Sequence, residues 1–149
     1  MLKAIKSFFA DLDKPQGEQP FSATDHRLAA AALLFHVIAV DGVVSQKERR
    51  ALCDILMKHY QLDPEESGEL IEAAESADKE AVDLYGFTSL LKRRLDEDGR
   101  KSVIEMMWQM VYADGALNEF EDNVVWRVAE LLGVSPRDRI QLKQAARDA

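Results

Sequence analysis

The chain has 149 residues, of which 47% are hydrophobic, 31% charged and 7% aromatic, and its formal net charge at pH 7 is −8. This length suits one domain, and no stretch approaches the roughly 20 apolar residues that a membrane span needs. The acidic balance argues against nucleic-acid binding, because phosphate contacts require a basic face. The single cysteine, Cys53, excludes an internal disulfide and favours a reducing compartment. We therefore expect a soluble cytoplasmic domain.

The first dozen residues are predicted to form a short amphipathic helix. Its apolar positions, with two lysines between them, are Leu2, Ile5, Phe8, Phe9 and Leu12. We assign residues 1–13 to this helix and 14–21 to a linker, and expect the helix to dock on a domain that covers residues 22–149. Membrane association through residues 1–12 is the weaker alternative, because so few apolar and basic residues anchor a helix poorly.

Capping signals and helical spacing of apolar residues predict the first three helices of that domain. One lies between Phe21 and Val40, with Ser22 as its cap and Asp25 in its first turn. The next runs from about Gln46 to Tyr60. The third begins at Asp63-Pro64 and is expected to be short, acidic and lightly packed.

Four further helices follow in the second part of the chain. Phe87 to Leu95 mark the fourth, Asp98 is the expected cap of the fifth, Asn118 to Leu132 form the sixth, and Ser135 caps the last. No segment shows the sustained alternation that is typical of a strand. The sequence therefore predicts an all-α fold, a compact domain of about seven helices.

The most informative feature is an internal repeat. Residues 38–48 align with residues 111–121, and both copies read D-G-x-(V/L)-(S/N)-x-x-E. The likeness extends into the helices on either side. It predicts two related helix–turn–helix halves, at about residues 22–62 and 99–136, related by a pseudo-twofold axis. An acidic connector, residues 61–83, carries nine acids and one base and accounts for the net charge of the chain.

Helix capping explains most of the repeated motif. Glycine after the last helical residue closes a helix in the left-handed conformation. Ser45 and Asn118 are preferred caps for the next helix, and Glu48 and Glu121, three residues on, complete capping boxes. On this interpretation each motif is a stable corner between two helices and binds nothing.

A cation site is the alternative interpretation, because capping does not explain Asp41 and Asp114. An aspartate in the last turn of a helix meets the negative end of the dipole. The motif matches the second half of an EF-hand loop, but apolar or aromatic residues occupy the earlier ligand positions, which excludes an ordinary EF-hand. If the corners meet, four carboxylates can share one calcium or magnesium ion. Those four ligands are Asp41, Glu48, Asp114 and Glu121.

The segments AVDGVVSQKE and YADGALNEFE, joined by a mostly helical middle, resemble the TerB-like domain of tellurite-resistance proteins. A related domain occurs in the DjlA type of DnaJ co-chaperone, but the His-Pro-Asp tripeptide of a J domain is absent from this chain. The resemblance covers about residues 22–146. It implies an all-α fold of two related halves with an acidic site at the duplicated motifs, and links with tellurite resistance, stress responses and membrane-associated complexes.

Catalytic signals are weak. His36 and His59 are interpreted as core histidines, His26 as an exposed residue near a helix start, and Cys53 as an inert buried thiol. The one basic cluster, Lys92-Arg93-Arg94 with Arg100-Lys101 nearby, is interpreted as a solvated helix end, or else as a site for an anionic partner. The three methionines around Trp108 are assigned to the core.

These patterns favour a TerB-like, non-enzymatic stress-response and interaction module, with an acidic site for a divalent cation. Two alternatives stay open: a small metal-dependent enzyme that uses the four motif carboxylates, and a peripheral membrane adaptor that uses the first residues of the chain. The sequence names neither the protein partner nor the oligomeric state.

Overall fold

The computed structural model describes residues 21–40, 42–113 and 119–149. Within these ranges the chain forms seven helices and no strand, so the predicted all-α class is confirmed. The helices are α1 (His26–Ala39), α2 (Gln46–Tyr60), α3 (Pro64–Glu80), α4 (Tyr85–Arg94), α5 (Glu97–Val111), α6 (Glu119–Leu132) and α7 (Pro136–Asp148). None of these helices is long and apolar enough to cross a membrane.

Helix α1 lies at the centre of the domain. Its sequence, HRLAAAALLFHVIA, carries alanine or larger apolar residues on every side, as expected for a helix surrounded by others. It packs against each of the helices from α2 to α6. Four consecutive alanines, at positions 29–32, are buried and let the neighbouring helices approach its backbone closely.

Helix α3 corrects one prediction. Its start is as expected, since Asp63 forms a capping box with Glu66 and Pro64 occupies the first turn. The helix is neither short nor lightly packed, however: it has 17 residues and packs against α1 and α2. Its buried face consists of Ser67, Leu70, Ile71, Ala73 and Ala74. Small residues on this face permit close packing, while the acids of the connector lie mostly on the other faces.

Two predicted helix starts are wrong by one turn or less. The N-cap of α1 is Asp25 rather than Ser22, because an Asp25 carboxylate oxygen accepts the N–H of Arg27 at 2.9 Å. The N-cap of α5 is Asp96 rather than Asp98, and it accepts the N–H of Gly99 at 2.8 Å. In both places several capping residues stand close together in the sequence, and tertiary packing selects among them.

The second part of the chain closes the core. Helix α5 packs against α1, α6 and α7, and it buries Trp108 together with Met106, Met107 and Met110. The predicted role of these methionines in the core is therefore confirmed. Ser135 caps α7 through the N–H of Asp138 at 3.1 Å, also as predicted.

The amino-terminal segment and the symmetry of the halves remain predictions. The helix assigned to residues 1–13 and nearly all of the linker assigned to 14–21 lie outside the described residues. The pseudo-twofold relation between the halves at about 22–62 and 99–136 likewise stays a prediction.

Candidate functional site

The first repeated corner joins α1 to α2. Val40 is the C-cap of α1, and the N–H of Gly42 donates to the Ala39 carbonyl at 2.9 Å. Gly42 has a φ of +90°, in a region that residues with a Cβ rarely adopt. The predicted role of this glycine in closing the helix is confirmed. Asp41, between these residues in the chain, lies outside the described ranges.

A complete capping box follows at the start of α2. The N–H of Glu48 donates to Ser45 Oγ at 3.1 Å, and the N–H of Ser45 donates to Glu48 Oε1 at 2.9 Å. Val44 packs against the core beside them. The capping prediction is therefore confirmed for the first corner, and it engages one of the two carboxylate oxygens of Glu48.

The second corner joins α5 to α6, and its middle is not described. Residues 114–118, which include Asp114 and Asn118, lie outside the described ranges. Glu121 lies in the first turn of α6 and is only 6% exposed, whereas Glu48, at the same repeat position, is half-buried. Burial of a carboxylate is costly unless hydrogen bonds or a cation compensate for the lost water. The second corner thus holds its glutamate in a more enclosed environment than the first.

The structure describes only two of the four predicted cation ligands, Glu48 and Glu121, so it does not test whether the four lie together. Among residues 21–40, 42–113 and 119–149, no group of three or more histidine, cysteine or acidic side chains is arranged to hold a metal ion. A shared calcium or magnesium ion also requires Asp41 and Asp114. The cation site therefore stays a prediction.

A second polar site, which the sequence did not predict, lies on the wall of a cavity of about 420 Å³. There His36 Nδ1 on α1 lies 2.8 Å from Asp78 Oδ1 on α3. The sequence interpretation placed His36 near Asp41 as a core residue, but its partner is an acid of the connector and the histidine is half-buried. The two residues are 42 positions apart on different helices, so no local spacing could have indicated the pair.

The start of α1 and the end of α2 form a third polar cluster. His26, expected to be exposed, is half-buried and meets the ring of Tyr60 edge-on at 6.0 Å. Burial, and to a smaller extent the charge of Asp25, raises the pKa of the Tyr60 phenol far above its ordinary range. A phenol that stays protonated at all ordinary pH values acts here as a packing group and not as a base.

The remaining candidate nucleophile and base are placed apart from these sites. His59 is exposed near the end of α2 instead of buried. The part of its side chain that is covered loses water, which lowers its pKa, although the charge of Glu105 acts in the opposite direction. Cys53 is half-buried, and its Sγ lies 3.6 Å from Met57 Sδ. Neither forms, with any residue that the structure describes, the nucleophile–base pair that covalent catalysis requires.

The basic cluster of the sequence is divided between two roles. Lys92, Arg93 and Arg94 are exposed in the last turn of α4, where cations complement the helix dipole, as predicted. Arg100 instead donates to the carbonyl of Leu95 at 3.2 Å and joins the start of α5 to the end of α6. Lys101 pairs with an acid at the start of α7. The five cations therefore do not act as one anion-binding patch.

Comparison with known proteins identifies the family. The family described as tellurite resistance protein TerB matches residues 27–144, which is most of the chain. Among curated proteins, none matches this sequence.

The fold is also found in a solved structure. A crystal structure of a protein of unknown function from Porphyromonas gingivalis is similar to this chain, with a TM-score of 0.62 and 15% sequence identity. The match covers 87% of this chain and 98% of that protein. At this identity the likeness establishes the shared helical fold and carries no information about a ligand.

Proposed function

Since the chain belongs to the TerB family of tellurite resistance proteins, we propose that it is a non-enzymatic interaction module tuned by a divalent cation. The cation, calcium or magnesium, binds between the two repeated corners through Asp41, Glu48, Asp114 and Glu121. All four are hard oxygen donors of the kind that these ions prefer. The bound state presents a surface to a protein partner in a stress response that includes resistance to tellurite, a role that rests on the family alone.

The observation that supports this proposal most is the burial of Glu121. A glutamate that only completes a capping box is expected to keep contact with water, as Glu48 does in the first corner. At 6% exposure Glu121 has little water around it. It has a partner within the protein, and a cation in the corner adds to that contact in offsetting the cost of keeping its charge. The capping role of Glu48 in the first corner is compatible with cation binding, because a carboxylate that accepts one N–H retains a second oxygen for a metal ion.

Calorimetric titration of calcium and magnesium into chelator-treated protein tests the proposal. Glu48→Gln and Glu121→Gln keep an oxygen that accepts a backbone N–H but remove the charge. We expect either change to weaken cation binding by at least about tenfold, because a neutral amide is a much poorer ligand for a hard divalent ion. Asp41→Asn together with Asp114→Asn is expected to abolish binding.

Two matched variants separate cation binding from capping. Ser45→Ala removes the cap and is expected to cost about 1 kcal/mol of stability, while it leaves the Glu48 carboxylate and the cation affinity in place. Glu72→Gln removes an exposed charge of α3. It should change the stability less than Ser45→Ala does and the cation affinity less than Glu48→Gln does. The proposal is wrong if the unaltered protein gives no heat with either ion, or if Glu72→Gln weakens binding as much as Glu48→Gln.

A further inference from the structure

The cavity that contains the His36–Asp78 pair lies outside both repeated corners. It opens where α1, the end of α3, the loop before α4 and one face of α6 meet. Its volume of about 420 Å³ falls in the range of roughly 300–1,000 Å³ that is typical of sites for small molecules. Four different chain segments therefore surround a space large enough for a compact organic ligand.

Two aspartates in the cavity wall each keep a carboxylate oxygen that no described residue engages. Asp78 Oδ1 is bonded to His36, and Asp83 Oδ1 accepts the N–H of Tyr85 at 3.0 Å. The other oxygen of each carboxylate has no hydrogen-bond partner among the residues that the structure describes. In the neutral tautomer of His36 that donates from Nδ1 to Asp78, the other ring nitrogen is an acceptor too. These acceptors can therefore receive a group that carries several N–H donors and a positive charge.

The cavity also contains the guanidinium of an exposed arginine, which no acid of the described residues neutralises. Arg127 on α6 lines it and makes no ion pair with any described residue. In the described lining it is the only side chain with a permanent positive charge. A guanidinium without a partner is well suited to a carboxylate, which it can hold through two parallel hydrogen bonds.

The rest of the wall is mainly apolar, with Tyr85 as the exception. Leu84, Val124 and Leu131 line the cavity, together with the smaller side chains of the loop that follows α3. A ligand that fits must therefore combine a cationic group, an anionic group and an aliphatic body. Each of these features alone is common on a protein surface, but the three together exclude most simple ligands.

We propose that this cavity binds a free aliphatic α-amino acid of about the size of leucine. The ammonium group lies against Asp78 and Asp83, the carboxylate binds Arg127, and the side chain packs on Leu84, Val124 and Leu131. None of these residues belongs to the repeated corners, so the amino-acid site and the cation site can fail independently.

Three ligands of the same shape test the charges separately: L-leucine, 3-methylbutylamine, which lacks the carboxylate, and 4-methylpentanoate, which lacks the ammonium. Each is titrated into the full chain without divalent cations, and amide shifts in ¹⁵N–¹H NMR spectra report binding. We expect leucine to bind at least about tenfold more tightly than either partial ligand, because each partial ligand lacks one charged hydrogen-bonding group. The shifts should cluster at residues 81–85 and on α6.

Two conservative variants are both expected to weaken leucine binding, but each should affect a different partial ligand. Arg127→Gln should weaken the binding of leucine and of 4-methylpentanoate about tenfold and leave the affinity for 3-methylbutylamine unchanged. Asp83→Asn keeps an oxygen that accepts the N–H of Tyr85. It should weaken the binding of leucine and of 3-methylbutylamine and leave the binding of 4-methylpentanoate unchanged. Arg94→Gln, which removes an exposed arginine elsewhere on the surface, is the control.

Three results would overturn the amino-acid site. The first is that leucine binds no more tightly than either partial ligand. The second is that Arg127→Gln weakens the binding of all three ligands equally. The third is shifts that cluster away from residues 81–85 and α6. Each variant is first shown to keep the dispersed amide spectrum of the unaltered protein, so a loss of binding is not a loss of folding.

Discussion

At the scale of single residues, Asp25 holds the first turn of the central helix. Its carboxylate accepts the backbone N–H of Arg27 at 2.9 Å and two guanidinium N–H groups, at 2.7 and 3.1 Å. Burial alone would raise the pKa of Asp25, but these hydrogen bonds from Arg27 outweigh it and lower the pKa below its ordinary value. The folded protein therefore favours the ionised form of this side chain.

This linkage predicts a pH-dependent loss of stability. Because the pKa is depressed on folding, the stabilisation by Asp25 is complete above about pH 4 and disappears as the pH falls through the folded-state value. Asp25→Ala should lower the free energy of unfolding in urea by about 1 kcal/mol near neutral pH and by much less near pH 2. Asp25→Asn, which keeps a capping oxygen, should lie in between. A loss that is equal at both pH values would contradict this account.

Residues that act locally could be predicted from the sequence, and those that act over a distance could not. Ser45, Glu48 and Gly42 have their roles within one turn of the chain, and the structure confirms them. The pair of His36 and Asp78 depends on the packing of α1 against α3, which a spacing in one sequence does not encode. For the same reason the cavity beside that pair had no signal in the sequence.

At the scale of the helices, the close approach of α1 to its neighbours depends on small side chains. Ala31 lies in the middle of α1 and is fully buried. Ala31→Leu would insert a larger side chain into a core that has no space for it, so it should lower the free energy of unfolding by about 1–3 kcal/mol. Ala145→Leu, at an exposed position of α7, is the matched control and should change it by less than about 0.5 kcal/mol. Equal effects in urea unfolding would show that α1 is less tightly enclosed than the structure indicates.

The helix bounds likewise could be predicted where nearby residues set them, and not where the packing of distant helices sets them. The bounds of α2, from Gln46 to Tyr60, were predicted to the residue because strong signals mark its start. The length of α3 was underestimated, since its acids suggested a solvated connector while its buried face is built from small residues and two aliphatic ones. Whether such a face is buried depends on what packs on it, and that is a property of the whole fold.

At the scale of the whole molecule, the negative charge is concentrated in residues 61–83. Several of these acids are paired or engaged in caps, as Glu75 is with Arg49 and Lys79, but Glu72 on α3 is exposed. Uneven charge of one sign destabilises a compact state by self-repulsion, and salt screens this repulsion.

Reversal of one charge in this segment should therefore stabilise the protein. Glu72→Lys is expected to raise the free energy of unfolding by up to about 0.5 kcal/mol at low ionic strength, and the gain should largely vanish near 1 M salt. Glu105→Lys, at an exposed position in the middle of α5 and outside the acidic segment, is the control and should give a smaller gain. A gain from Glu72→Lys that persists in salt would point to a local contact instead of repulsion.

The enclosure of α1 also has a consequence for biosynthesis. During translation α1 leaves the ribosome before every helix that covers it, and its coverage is complete only when α6 has been made. Until then part of a helix with ten residues destined for the core remains exposed to water. A nascent chain that exposes such a surface is vulnerable to aggregation. The arrangement that gives the finished domain its centre thus leaves the unfinished chain with an apolar surface that only later helices can bury.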